Sequence, residues 1–145
     1  MNKEKIELLV KTGILRKRQV NIEEIKSMLA SSEINARVTK GVALNEDSAT
    51  LIFREIYESV RQLGDAKWWL EGYEPSNHEI SIDILKETPI ANSLKLNHLE
   101  RFKKIRHDAN YRGFRVSIEQ AIEILLFWDD CGSDIIKLIR EQIKR

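Results

Sequence analysis

One cysteine, two prolines and six glycines among 145 residues leave the chain few devices for stapling or breaking its backbone. Cys131 alone can build neither a disulfide framework nor a four-cysteine zinc site, and a single thiol suits a reducing cytosol. No staple is required at this length, because folding removes roughly two thirds of the surface that the unfolded chain exposes. Scarce proline and glycine, abundant Ile, Leu, Glu and Lys, and few alternating β-branched stretches together predict an all-α fold.

A long apolar run is missing as well. The longest, Ile124 to Trp128, falls far short of the about twenty residues that span a bilayer. The opening Met1-Asn2-Lys3-Glu4-Lys5 mixes acid with base and lacks the apolar stretch of a secretory signal. The chain is therefore expected to be soluble and cytoplasmic, with no membrane partner. Excess charge of one sign is also absent, since 24 Lys and Arg face 23 Asp and Glu for a net charge of +1. Partners must be sought in how charge is distributed. No internal repeat or low-complexity linker divides the sequence, so residues 1–145 read as a single domain.

Caps and apolar periodicity predict the helices. A short first helix, about Lys3 to Thr12, ends at Gly13, where a left-handed cap is best tolerated, and the basic connector Arg16-Lys17-Arg18 follows. Asn21 with Glu24 forms a capping-box pattern for helix two, whose inward positions are Ile22, Ile25, Leu29, Ser32, Ala36 and Ala43. The small residues late in that series predict close packing on a neighbouring helix. Asn45 caps a long third helix with the stripe Ala49, Ile52, Phe53, Ile56, Val60 and Leu63, ending near Gly72. Turn chemistry over Glu71 to Asn77 leads to a short helix from His78 to about Lys86, closed by Pro89. A fifth helix covers about Leu94 to Ala109 or Asn110, and Ser117 with Gln120 opens the last. Asp129, Asp130 and Gly132 are expected to bend that last helix midway. The sum is an up-and-down bundle of four or five main helices.

Common catalytic signatures are missing: Gly-x-Gly-x-x-Gly, the P-loop, the Gly-x-Ser-x-Gly elbow, and the Glu-x-x-His pairs of a di-iron bundle. His78, His98 and His107 lack local ligand partners, so neither a metal centre nor another cofactor is expected. The informative stretch is Arg101 to Arg115. It carries Arg101, Lys103, Lys104, Arg106, Arg112 and Arg115 against the single acid Asp108, interleaved with Phe102, Tyr111 and Phe114. Cations beside rings suit a phosphate backbone whose bases stack, as in single-stranded RNA. A solvated basic helix face accounts for the charge at least as well.

Helical geometry separates Arg106 from its neighbours. With Phe102 as zero, Arg106 falls at about 40°, on the apolar side, and His107 at about 140°, pointing away. A guanidinium in such a place needs paired acceptors or a lined cleft. Two readings stay open: a structural Arg paired with a carboxylate of another helix, such as one near Glu55 or Glu58, or a cation aimed at a ligand.

Three further segments bear on this point: Leu9-Val10-Lys11-Thr12-Gly13, Gly72-Tyr73-Glu74-Pro75-Ser76-Asn77-His78, and Arg106-His107-Asp108-Ala109-Asn110-Tyr111. With the long third helix between them, they resemble the HEPN family of small helical proteins over most of the chain. Active members are metal-independent endoribonucleases, often toxins encoded beside a minimal nucleotidyltransferase, and commonly homodimers with their Arg motifs lining a shared cleft. The resemblance implies a ribonuclease-like site in which Arg106 steadies phosphate charge and Tyr111 and His107 orient or transfer protons. Arg101, Lys103, Lys104, Arg112 and Arg115 would hold the strand. It also implies a homodimer and a nucleotidyltransferase partner. The family motif closes with His, where this chain has Tyr111. A phenol titrating near 10 is a poor base at pH 7, so a catalytically inactive subunit that binds nucleotide or a partner protein remains the alternative.

Overall fold

Helix caps set most of the boundaries in the computed structural model, which describes residues 1–145. Helix α1 (Lys3–Lys11) starts where the Asn2 side chain accepts from the Lys5 amide and ends before Gly13, whose φ of 79° is the expected left-handed stop. Asn21 accepts from the Glu24 amide to open α2 (Ile22–Lys40). Ser117 and Gln120 form a reciprocal capping box at the head of α6 (Ile118–Phe127). The remaining helices are α3 (Ala49–Leu70), α4 (His78–Asp83), α5 (His98–Tyr111) and α7 (Ser133–Ile143). Short 3-10 turns at Ile84–Glu87 and Ser93–Asn97 lead from α4 to α5.

The protein is mostly helical, with one small departure from an all-α chain. The basic connector is a strand, β1 (Leu15–Lys17), paired antiparallel with β2 (Tyr73–Pro75) in the stretch expected to be a turn. Arg16 stands opposite Glu74 in this ribbon, and Leu15 is fully buried beneath it with Leu9 and Trp68. Other boundaries differ as well: α4 ends at Asp83 rather than near Lys86, and α5 begins at His98 rather than near Leu94. Helix α2 stops at Lys40, so Ala43 lies in the exposed loop rather than on the inward face, and Asn45 accepts from the amides of Asp47 and Ser48 in a turn that precedes α3.

The long, largely buried α3 organises the core. Helix α2 runs antiparallel to it: Ser32 and Ala36 are fully buried, and the Asn35 amide donates to the Glu55 carbonyl at 2.9 Å and to Ser59 Oγ at 3.1 Å. Helix α5 packs on another side of α3, with Arg54 donating to Asn110. Phe102 of α5 inserts edge-on between Phe53 and Phe127. The last helical stretch is interrupted at Trp128–Gly132 by a wider π-type turn, with the Trp128 ring over Gly132. This interruption falls where Asp129, Asp130 and Gly132 weaken the helical pattern.

Candidate phosphate site at Arg106

Helix α5 carries Arg106 on the flank of its apolar face. Leu99, Phe102 and Ala109 are buried, and the guanidinium one turn beyond Phe102 lies over the Tyr57 ring of α3, 5.4 Å from its centroid. A cation over a phenol ring gains about 0.5–2 kcal/mol, less than two carboxylates would supply. The other half-buried cations show what is usual in this fold. Arg18 pairs with Glu24 and Glu74, and Arg61 with Glu58 and Asp65. Lys67 pairs with Glu71, and both Lys86 and Lys103 pair with Asp83 and Glu100. Arg106 alone among them has no carboxylate within ion-pair reach. Of the two open readings, the acid-paired structural arginine is therefore not what the structure contains. Of the acids expected of it, Glu58 belongs to Arg61 at 2.9 Å and Glu55 makes no ion pair.

The basic run around Arg106 divides. Lys103, counted among the strand-holding cations, turns inward: its side chain is 11% exposed and its ammonium is 2.5 Å from Asp83, tying α5 to α4. Arg101 is engaged by Glu123 of α6, and Arg115 donates to the Asp47 carbonyl at 3.1 Å. Arg112 lies 3.9 Å from Asp108, while Lys104 is exposed with no acid beside it. His107 and Tyr111, one turn apart, lie side by side on the solvent side with ring centroids 4.9 Å apart and planes tilted by 47°. Tyr111 is 70% exposed and Phe114 59%. Arg106 and Tyr111 project about 140° apart around the helix, so one chain does not bring these two together.

The structure adds residues that sequence reasoning did not assign to this place: Tyr57, Arg61 and His78. Helix α4 is clamped to α3 by three contacts. The Ser81 backbone abuts Gly64, Ser81 Oγ donates to Asp65 at 2.6 Å, and the Trp68 indole donates to the Ile80 carbonyl at 2.7 Å. This clamp fixes His78, the first residue of α4, at the edge of a cleft of about 170 Å3 that Arg61, Asp65, Glu74, Asn77 and Ser81 also line. His78 Nδ1 is buried without a hydrogen-bond partner. Burial holds the imidazole below its ordinary range; the charges of Arg106 and Arg61 push it further down, against Glu58. These effects favour its neutral form. Burial raises the Tyr57 phenol well above its usual value despite Arg106, so Tyr57 is no proton acceptor near neutrality. Burial also raises Asp65, which Ser81 and Arg61 oppose.

No three His, Cys, Asp or Glu side chains converge in an arrangement fit for a metal ion. Cys131 is buried, and burial together with Asp130 pushes its thiol up to about 11, so it is no nucleophile at neutral pH. No helix is long and apolar enough to cross a membrane. Comparison with protein-family models, with curated proteins and with solved structures finds no match to the chain.

Proposed function

We propose that the chain is a HEPN-like helical bundle that binds single-stranded RNA, with Arg106 gripping a backbone phosphate. The observation that carries this is the unpaired, half-buried guanidinium of Arg106 in a fold where every comparable cation has its acid. A phosphate oxygen supplies the missing partner, with a charge-assisted hydrogen bond of about 1.5–3 kcal/mol. Beside it, Lys104 and Arg112 offer exposed charge, and the adjacent His107 and Tyr111 with Phe114 offer ring faces for bases.

In the endoribonuclease form of this proposal, two copies pair as a homodimer so that Arg106 of each meets Tyr111 or His107 of the other, and a nucleotidyltransferase restrains the activity. The angular separation of Arg106 and Tyr111 within one chain favours the second form, a binding subunit without cleavage. Both forms share the Arg106 contact.

The test is binding of labelled single-stranded RNA in the presence of chelator, followed by anisotropy and, in the same tubes, by gel for cleavage. Arg106→Ala is expected to weaken binding at least about tenfold, and binding should fall steeply with salt. Cleavage by the wild type that Arg106→Ala loses would select the endoribonuclease form. Unchanged affinity of Arg106→Ala would overturn the proposal.

A further inference from the structure

Helices α2 and α3 border an open groove of about 450 Å3 that the Arg106 site does not use. Two residues of its α3 wall, Gln62 and Trp69, each bury a polar atom with no hydrogen-bond partner, the amide Oε1 and the indole Nε1. The indole can only donate and the amide oxygen can only accept, and each costs about 1–3 kcal/mol while unpaired. Helical phase carries the groove further. Ser27, Ser31, Ile34 and Val38 fall within about 60° of one another around α2, as do Leu51, Glu55, Glu58, Gln62 and Trp69 around α3. Asn35 is bonded to the Glu55 carbonyl and Gln62 to Ser31, so the two stripes flank one surface. Past the polar groove this surface presents Ile34, Val38 and Leu51, which are 49%, 63% and 52% exposed. From Trp69 to Leu51 it runs about 27 Å along α3, the length of about eight residues of extended chain. Its charge is acidic. Glu23 and Glu24 line the groove and no cation does. Arg18, over the Trp69 ring at 3.8 Å, is held by Glu24 and Glu74, whereas Glu55 has no ion pair and Glu23 lies 3.7 Å from Lys26. Such a surface repels a phosphate backbone and attracts Lys and Arg.

We infer that the α2–α3 groove docks an extended, basic peptide segment of a partner protein, with a backbone carbonyl accepting from Trp69 and a backbone N–H donating to Gln62. An extended segment keeps both main-chain groups free to bond, whereas the interior of a helix has already used them. The apolar side chains of the segment rest on Ile34, Val38 and Leu51, and its Lys or Arg side chains reach Glu23 and Glu55. Neither unpaired atom is open to water in the empty protein, so side chains of the groove wall turn aside as the segment seats. The site lies on a different side of α3 from Arg106 and stands independently of RNA binding there.

The experiment selects from a randomised, displayed library of peptides of about ten residues on the intact protein, and measures the labelled winners by anisotropy. The winners are expected to combine Lys or Arg with Leu, Ile or Val. Trp69→Phe keeps a ring and removes the donor, and should weaken these peptides about fivefold. Val38→Asp, at an exposed position, should weaken them about tenfold. Glu23→Lys should weaken them most at low salt. Circular dichroism checks that each variant is folded, and affinity for labelled single-stranded RNA should stay unchanged in Trp69→Phe. An unenriched library, acidic winners, or winners indifferent to Trp69→Phe and Val38→Asp overturn the inference. So does a dimer in sedimentation that Val38→Asp dissociates, which gives the face to a second copy, and so does RNA affinity lowered by Trp69→Phe, which gives it to nucleic acid. Failure of Arg106→Ala to weaken RNA binding overturns the RNA reading and leaves the peptide site standing.

Discussion

A Cβ atom placed on Gly64 would lie 1.9 Å from the carbonyl oxygen of Ser81, so α3 and α4 touch backbone to backbone at this point. The obstacle is main chain, which cannot rotate away as a side chain can. Gly64→Ala is therefore expected to destabilise the fold by about 1–3 kcal/mol, measured by urea unfolding, with Ser81→Ala giving no rescue.

Lys103 and Lys104 are neighbours in sequence with opposite roles. Lys103 is bound inward to Asp83 and Glu100, whereas Lys104 faces solvent alone. Lys103→Ala is expected to cost about 1–3 kcal/mol of stability by leaving Asp83 less well compensated, and to leave the salt dependence of RNA binding unchanged. Lys104→Ala should leave stability within about 0.5 kcal/mol and lower the salt slope by about 0.7, the loss of one phosphate contact to a single strand. Equal slopes for both variants would contradict this division.

The lowered titration of His78 fixes the sign of a stability effect in the empty protein. The folded state holds the imidazole below its ordinary value of 6.5, so between the folded and unfolded values the unfolded chain binds more protons. Stability contributed by the neutral ring is complete above about 6.5 and declines as pH falls toward the folded value. Chemical denaturation between pH 5 and about 7.5 should show this acid-side decline in the wild type, and His78→Gln should flatten it.

Tyr111 separates stacking from proton transfer. Its ring is paired with His107 and open to solvent. Tyr111→Ala is expected to weaken RNA binding by about 1–3 kcal/mol and Tyr111→Phe to leave it unchanged, both read by anisotropy. Loss of cleavage in Tyr111→Phe with intact binding would instead give the hydroxyl a chemical role.

Residues whose meaning is local were legible in the sequence. Asn21, Gly13 and the Ser117 and Gln120 pair act within one turn of themselves, and each ends or begins a helix where the pattern placed it. The position of Arg106 beside the apolar face follows from its own helix alone. The β1–β2 ribbon was not legible, because each strand is three residues long and its partner lies more than fifty residues away. The same holds for Lys103, whose fate is decided by Asp83 on another helix, and for His78, whose buried nitrogen depends on the packing of α4 against α3. A charge run in sequence shows where cations are, and only packing shows which of them already have an acid.

The wide turn at Trp128–Gly132 sets the phase of everything beyond it. Each π-type turn holds one residue more than an α-helical turn, so the side chains that follow are rotated by about 100° relative to an unbroken helix. Ile124 and Phe127 face inward before the turn, and Ile135 and Ile139 face inward after it. Shortening the chain by one residue there would remove the extra residue together with the rotation that it causes, restoring a regular helix with the terminal segment's inward edge and the Arg140–Glu33 pair still in phase. A single-residue deletion at this spot would thus do less harm than one elsewhere in the same segment.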